Sequence, residues 1–387
     1  MQLSRYFDYH ATTPVDPRVL EAMLPFFHER FGNPSSRNHP FGWEASKAVD
    51  AARAQVASVI GGRHADIVFT SGATESNNLA IKGTAHALRG RGRHVVTVVT
   101  EHPSVLDSCT ALEQDGFAVT RLGVGGDGLV SPDEFDAAIT AETTLASVMT
   151  ANNEIGVIQP IAELAARCRQ RGVTFHTDAS QAVGKIPFDV EALGVDLVSF
   201  TAHKFYGPKG VGALWVRRRA VEPAPQMHGG GHERGLRSGT LNVPGIVGLG
   251  RACELCEEEL ESEGRRLAGL RDRLLEHLRA RVPDLCVNGS LTSRLPQNLN
   301  VSFPGIDSES LAIAMDDVAV SSGAACSTSK TEPSRVLTAI GLDRELAFAS
   351  LRFGLGRWTT AEDVDYVAGK TAAVIARLRA VKQELGA

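Results

Sequence analysis

Two residues that could serve an enzyme cofactor lie at the ends of short apolar runs. Lys204 follows the run "SFT" in "SFTAHKFYGPKG" (199–210), and Asp178 closes the run "VTFHTD" (173–178). A lysine at such a position can form a Schiff base with an aldehyde cofactor. An aspartate there can hold a protonated pyridine nitrogen. Each has an ordinary alternative, because Lys204 could be a surface lysine and Asp178 could cap a helix.

A third stretch could bind a phosphate group. In "FTSGATESNNLAI" (69–81) an apolar run ends at a Ser-Gly turn, and a helical pattern opens at Ala73 and Thr74. Free N–H groups and the helix dipole at a helix start suit a phosphate. The alternative is a plain capped helix. The spacing is not that of a P-loop, and no G-x-G-x-x-G turn follows a strand, which argues against a dinucleotide site.

In chain order, these stretches supply a phosphate cradle, a pyridinium partner and an imine-forming lysine. Together they predict a site for pyridoxal 5'-phosphate (PLP). A separate candidate is Cys326, which lies among very small side chains in "SSGAACSTSK" (321–330). This composition is typical of a flexible loop, and such a loop could carry a thiol between two places. A nucleophilic cysteine must react as its thiolate.

The elements that must position these residues alternate along the chain. Amphipathic segments separate six short apolar runs: 66–70, 94–99, 144–150, 173–178, 196–201 and 212–216. This order predicts parallel βαβ units, and runs that are apolar on both faces fit a sheet covered on both sides. After about residue 245 a long charged helical pattern runs to residue 281. Short strands mixed with helices follow from 298, so we predict a domain boundary near residue 260.

Composition narrows the function classes. The 387 residues carry a net charge of -5, which gives no sign of a nucleic-acid partner. The N-terminus lacks the pattern of a targeting peptide, and no apolar run approaches membrane-spanning length, so we expect a cytoplasmic protein without membrane contact. Cys253 and Cys256 form a CxxC inside a helical pattern without a second pair. We interpret them as core residues and predict no metal site.

The order of these motifs resembles the NifS/IscS-like cysteine desulfurases of the class V aminotransferase group, which are fold-type I PLP enzymes. The resemblance covers nearly the whole chain, and among the stretches that carry it are "YFDYHATTPVDPRV", "FGNPSSRNHPFGWEA", "TSGATESNN", "TEHPSVLD", "NNEIGVIQP", "FHTDASQAVGK", "AHKFYGPKGVGALWV", "GGGHERGLRSGTLNV", "SSGAACS" and "LRFGLGRWTT". It implies an α/β fold with a mainly parallel seven-stranded sheet between helices. Residues 15–260 would form a large PLP-binding domain. Residues 1–14 and 261–387 would form a small α+β domain carrying a mobile cysteine loop (321–333).

The resemblance also implies a role for each candidate site residue. Lys204 would hold PLP, His102 would stack on its ring and could shuttle protons, and Cys326 would take the substrate sulfur as a persulfide. The other cofactor contacts implied are Ala73, Thr74, Asn153, Asp178, Gln181, Thr201, His203 and, from a partner subunit, Thr240. Arg352 would clamp the substrate carboxylate as a bidentate fork, helped by Asn33 and Asn153. Position 201 is threonine where the family often has serine, and the hydroxyl is retained.

The implied activity is PLP-dependent removal of sulfur from L-cysteine, giving L-alanine and a persulfide on Cys326. A homodimer is implied, with a sulfur-acceptor or scaffold protein docking near the cysteine loop. The sulfur could serve iron–sulfur cluster assembly, tRNA thiolation or DNA phosphorothioation. Lys330 makes the loop more basic than expected for such a docking site. The alternatives are a selenocysteine lyase, a class V aminotransferase, which would not need Cys326, and a non-catalytic scaffold.

Overall fold

The fold is described from a computed structural model of the chain, which covers residues 5–322 and 332–384. Its strands are, in chain order, β1 (Arg5–Tyr6), β2 (Ile67–Thr70), β3 (His94–Val98), β4 (Ala118–Leu122), β5 (Thr143–Ser147), β6 (Thr174–Asp178), β7 (Leu197–Thr201), β8 (Gly212–Val216), β9 (Cys286–Val287), β10 (Asn298–Ser302), β11 (Val318–Ala319), β12 (Ser321–Ser322) and β13 (Ser350–Gly354).

The helices lie between and after these strands. They are α1 (Pro17–Met23), α2 (Pro25–His28), α3 (Pro40–Ser58), α4 (Ala73–Asn78), α5 (Thr84–Leu88), α6 (Pro103–Gln114), α7 (Pro132–Ala138), α8 (Ile161–Arg171), α9 (Val190–Leu193), α10 (Val243–Arg281), α11 (Ser308–Ala314), α12 (Arg335–Ala339), α13 (Arg344–Phe348) and α14 (Ala361–Glu384). A π-turn, Leu79–Gly83, joins α4 to α5, so the helical run from Ala73 continues to Leu88. In the described part of the chain, no helix has the length and apolar character needed to cross a bilayer.

A seven-stranded sheet forms the centre of the molecule, in the order β2-β8-β7-β6-β5-β3-β4. Six strands run the same way, and β8 alone is antiparallel to both neighbours. All residues of β3, β5, β6, β7 and β8 are buried, because apolar clusters cover both faces of the sheet. The predicted α/β fold class, with a mainly parallel seven-stranded sheet between helices, is confirmed.

A second, smaller core surrounds a four-stranded sheet in the order β12-β13-β10-β9. The N-terminal segment joins this part of the molecule, because β1 pairs with β11 and Phe7 is buried in the second core. Helix α10 connects the two cores: it contributes Cys256 to the first and Leu267 to the second. We therefore propose the domain division at residue 260, inside a continuous helix.

Candidate active site

A cavity of about 640 Å³ opens at the carboxyl ends of the parallel strands, where open α/β sheets usually keep their ligand sites. Its volume lies in the usual range for a small-molecule site, roughly 300–1,000 Å³. Ten of the predicted site residues line it: Ala73, Thr74, His102, Asn153, Asp178, Gln181, Thr201, His203, Lys204 and Arg352. Strand direction explains this convergence, since β2, β3, β5, β6 and β7 all end at the same edge of the sheet.

Lys204 ends a single 3-10 turn, Ala202–Lys204, directly after β7. Its Nζ donates hydrogen bonds to two backbone carbonyls of the N-terminal segment, those of His10 (2.8 Å) and Ala11 (2.7 Å). Tyr206, two residues on, has a φ of 68°, a conformation unusual for a residue with a side chain. The two carbonyl contacts hold the Lys204 amine inside the cavity. Hydrogen bonds of this kind can be given up when the amine forms a bond to a ligand.

Asp178 is the last residue of β6 and is buried. Its Oδ2 accepts a hydrogen bond from Asn77 Nδ2 (2.8 Å), and its Oδ1 accepts one from Ser180 N (2.9 Å). The chain continues from Ser180 as a turn and no α-helix begins there, so the helix-capping alternative does not describe this aspartate. The fixed carboxylate can face a protonated ring nitrogen.

His102 is the N-cap of α6, and its ring is oriented by its neighbours. His102 Nδ1 accepts from Ser104 N (3.1 Å) and lies 2.8 Å from Ser104 Oγ. Since Asn77 Nδ2 donates to Ser104 Oγ (2.8 Å), that hydroxyl can give its own proton to Nδ1. The ring proton of neutral His102 is therefore on Nε2. Burial lowers the pKa of His102, which favours the neutral ring.

One end of the cavity is suited to an anion. The helical run starts here with Ala73 and Thr74, and the cations Lys209 and Lys204 line the same space. Burial lowers the pKa of His203 to about 4, and the positive charges of Lys204 and Lys209 contribute to this shift. A phosphate at this end would meet helix N–H groups, a hydroxyl and positive charge.

Arg352, in β13, lines the other end and is only 4% exposed. Its Nη1 donates to the carbonyl oxygen of Asn153 (2.8 Å), and its Nη2 donates to Asp8 Oδ1 (2.7 Å). Its Nε is buried and has no hydrogen-bond partner. The bonds formed by Nη1 and Nη2 hold the guanidinium group of Arg352 at this end of the cavity, where its charge suits a ligand carboxylate.

Two of the predicted site residues that the structure describes, Asn33 and Thr240, do not line this cavity. Both are exposed, and Asn33 Oδ1 accepts a hydrogen bond from Ser35 N (2.9 Å). Cys326 lies outside the described residues, as does Lys330. The cysteines Cys253 and Cys256 are buried, and burial raises the pKa of both thiols, in keeping with a packing role.

The N-terminal segment also lines the cavity, which the residue-by-residue reasoning did not anticipate. Asp8, His10, Ala11 and Thr12 all face this space. They come from the stretch "DYHATTP", which follows neither a strand nor a helix pattern. In this stretch, the local sign of a site was a high density of polar side chains where the sequence predicts neither a strand nor a helix.

Known proteins resemble this chain over most of its length. A family described as aminotransferase class-V matches residues 5–367. A relative from Anaeromyxobacter dehalogenans (strain 2CP-C) named cysteine desulfurase IscS is 57% identical over 367 residues, which cover 95% of this chain and 91% of the relative. Among solved structures, a NifS-like protein superimposes with a TM-score of 0.90 at 40% identity, covering 97% of this chain and all of its own. A structure of SspA in complex with cysteine gives a TM-score of 0.79 at 36% identity, covering 92% of this chain and all of its own.

Proposed function

The chain belongs to the aminotransferase class-V family and is a PLP-dependent cysteine desulfurase, and we propose that the strand-end cavity is where it binds cofactor and substrate. The observation that carries this proposal is the convergence of Lys204, Asp178 and Arg352 on one cavity. An amine, a carboxylate and a guanidinium group match the aldehyde and ring nitrogen of PLP and the carboxylate of an amino acid.

The residues around the cavity fit PLP at both of its ends. Thr74, Thr201 and His203 would hold the phosphate together with the N–H groups at Ala73 and Thr74. Lys209 would add positive charge. At the other end, Asp178 would pair with the ring nitrogen.

When bound, PLP withdraws electrons from the substrate's α-carbon. Lys204 would hold the cofactor aldehyde covalently until the substrate amine replaces it. Arg352 would fix the carboxylate of L-cysteine, with Asn153 beside it and Asn33 assisting. His102, protonated on Nε2 and oriented through Nδ1, would stack on the ring and move a proton at Nε2.

Cys326 is the proposed sulfur carrier. Its thiolate sulfur would attack the sulfur of the bound L-cysteine. A sulfur–sulfur bond forms, the substrate's carbon–sulfur bond breaks, and the electron pair stays with the substrate carbon. Protonation of that carbon gives L-alanine and leaves the persulfide on the enzyme.

The chain on either side of Cys326 is anchored beside the cavity. Ser321 lines the cavity, and five residues span at most roughly 18 Å. Beyond the cysteine, Ser334 donates a hydrogen bond to the half-buried Glu154, the neighbour of Asn153. Both anchors support the proposal that Cys326 can meet the substrate.

A homodimer is the proposed assembly, with Thr240 completing the partner's phosphate site. Arg237 Nε donates to Glu75 Oε1 (2.9 Å) at the cavity rim, while Thr240 is exposed.

Four aromatic side chains are also exposed near the start of the chain: Phe27 (59%), Phe31 (63%), Phe41 (51%) and Trp43 (56%). Exposed apolar surface of this kind commonly marks a protein interface.

The acceptor of the sulfur is proposed to be a second protein that docks near Cys326. Delivery to iron–sulfur cluster assembly, tRNA thiolation or DNA phosphorothioation would start from the same persulfide. The cytoplasmic location expected from the sequence is retained as part of this proposal.

Borohydride reduction of the purified enzyme tests the site assignment. Reduction should fix a pyridoxyl group on Lys204, which peptide mass spectrometry would locate. Two other lysines are internal controls, because Lys209 lines the same cavity and the half-buried Lys185 contacts Gln181 at its wall. A pyridoxyl group on either of them, and none on Lys204, would overturn the assignment.

A further inference from the structure

An acidic side chain, Glu75, lies at the end of the cavity that we propose for the phosphate of PLP. It lines the cavity together with Thr74, in the first turn of the helical run. Burial raises the pKa of Glu75, but hydrogen bonds from Arg237 and Ser71 outweigh this effect and keep the pKa below its ordinary value. The side chain is therefore a carboxylate. A negative charge at this place opposes the binding of a phosphate unless a cation balances it.

Two donors hold the Glu75 carboxylate. Its Oε2 accepts a hydrogen bond from Ser71 N (2.7 Å), which ties the start of the helical run to the turn before it. Its Oε1 accepts a hydrogen bond from Arg237 Nε (2.9 Å), and each of these two charged side chains is 18% exposed. Arg237 thus brings a positive charge to Glu75 in a place that is partly shielded from solvent.

Arg237 is kept in place by the segment that precedes it. Four residues earlier, the buried carboxylate of Glu233 accepts hydrogen bonds from both terminal nitrogens of Arg53 (2.8 and 2.7 Å) and from Phe69 N (2.8 Å) in the edge strand β2. Glu233 and Arg234 have φ values of 46° and 57°, a conformation that persists where surrounding contacts fix the backbone. The segment is therefore fixed against the strand that leads into the proposed phosphate site.

We infer that Arg237 is a positioning residue that holds and neutralises the Glu75 carboxylate, so that the phosphate of PLP can bind beside it. The inference rests on the proposed function of the cavity. Glu75 contributes to the turn through its bond to Ser71 N, but its charge alone would repel the phosphate. The ion pair with Arg237 keeps the carboxylate on the turn and balances its charge.

Four forms of the full-length chain separate charge balance from folding: the wild type, Arg237→Met, Glu75→Gln and the double variant. Arg237→Met removes the positive charge and Glu75→Gln removes the negative charge, each with little change in side-chain size. PLP is titrated into the apoenzyme of each form. Pyridoxal, which lacks the phosphate, is titrated in parallel as the control ligand.

We expect Arg237→Met to bind PLP about tenfold more weakly than the wild type, the order of one charge interaction in a partly screened site. Glu75→Gln should bind PLP at least as tightly as the wild type, because its amide oxygen can still accept from Ser71 N. The double variant should match Glu75→Gln. All four forms should bind pyridoxal alike, since the Glu75 charge acts on the phosphate.

Recovery in the double variant is the decisive result, because removing a carboxylate would not rescue a chain that has merely lost its fold. Wild-type PLP affinity in Arg237→Met would overturn the inference. So would equally weak binding by Arg237→Met and the double variant, which would mean that Arg237 acts directly on the phosphate or on the fold. Equal losses for PLP and pyridoxal would also contradict it.

Glu75→Gln alone decides the case in which Arg237→Met does not fold. Weaker PLP binding by Glu75→Gln than by the wild type would show that the negative charge itself is needed, against the inference. A wild type that binds no PLP, or that carries it on another lysine, would instead contradict the proposed function of the cavity.

Discussion

At the residue scale, side-chain partners set the protonation states that the proposed chemistry needs. His102 has its Nδ1 occupied by the N–H and the hydroxyl of Ser104, and Asn77 links that hydroxyl to Asp178. The residue proposed to move protons is thus connected to the residue proposed to hold the ring nitrogen. The types of Lys204, Asp178 and Thr74 were enough to predict a PLP site from the sequence. This network was not predictable, since it joins residues from three separate elements.

The position of the acid limb of the pH–rate profile tests the state of His102. Because burial lowers its pKa below the ordinary value of 6.5, the ring stays neutral above that pH and becomes protonated only at lower pH. We predict that the acid limb of kcat/KM lies below pH 6.5. This profile reports groups of the free enzyme.

Ser104→Ala is the matched variant for this prediction. It removes a hydroxyl that stabilises the neutral ring through Nδ1. The limb should therefore move to higher pH, by roughly half to one unit for one hydrogen bond. A limb above pH 6.5 in the wild type, or an unmoved limb in Ser104→Ala, would contradict the assignment.

At the element scale, the sequence located all six strands of the central sheet whose residues are buried throughout, because each is a short run rich in apolar and β-branched residues. Strand β4 was missed, and its residues are half-buried or exposed at the edge of the sheet, so its pattern is weak. The reversed direction of β8 was also not predicted. Only ten residues separate Thr201 from Gly212, fewer than the dozen or so that a parallel crossover needs. The short connection could therefore have been used to predict that β8 runs antiparallel to β7.

Gly212 links strand β8 to the turn that opens the proposed phosphate site. A Cβ at this position would lie 2.7 Å from Gly72 Cα and 2.6 Å from the carbonyl oxygen of Phe200. Gly212→Ala should displace the turn and weaken PLP binding. Overpacking of about 1–3 kcal/mol would lower the affinity roughly five- to hundredfold.

The measurement is PLP titration of the apoenzyme, with thermal unfolding of the same samples. Gly90→Ala is the control, because Gly90 is exposed and a Cβ there would meet no atom within 4 Å. If Gly212→Ala bound PLP as tightly as Gly90→Ala does, the close approach of β8 would not position the phosphate site.

At the scale of the whole molecule, residues far apart in sequence complete the cavity. The N-terminal segment brings in Asp8 and His10, and β13 brings in Arg352, nearly 350 residues later. Pairing of β1 with β11 positions this segment, and two-residue strands leave almost no sequence pattern. The proposed contribution of Thr240 from a partner subunit rests on the family resemblance.

Mixed dimers test whether Thr240 acts across the interface. Lys204→Ala should be inactive, and Thr240→Glu should be weak because a carboxylate repels the phosphate. Co-expression with two different tags isolates the mixed dimer. If Thr240 acts on the partner's site, one site carries both lesions and the other carries neither, so about half of the wild-type activity should return.

If Thr240 acts within its own chain, each site of the mixed dimer carries one lesion. Activity no greater than the mean of the two homodimers would then contradict the proposal. Light scattering on the same samples should give twice the chain mass, and a fully active monomer would exclude a shared site altogether.

The most direct test of the whole account is the fate of the substrate sulfur. After L-cysteine is added to the holoenzyme, peptide mass spectrometry should find one extra sulfur atom on Cys326. Cys326→Ser should still show the visible PLP band, and the band should still change when L-cysteine binds, because Lys204, Asp178 and Arg352 are untouched. It should lose nearly all L-alanine release, since a neutral hydroxyl is a poor nucleophile toward sulfur. Wild-type L-alanine production by Cys326→Ser would contradict the account.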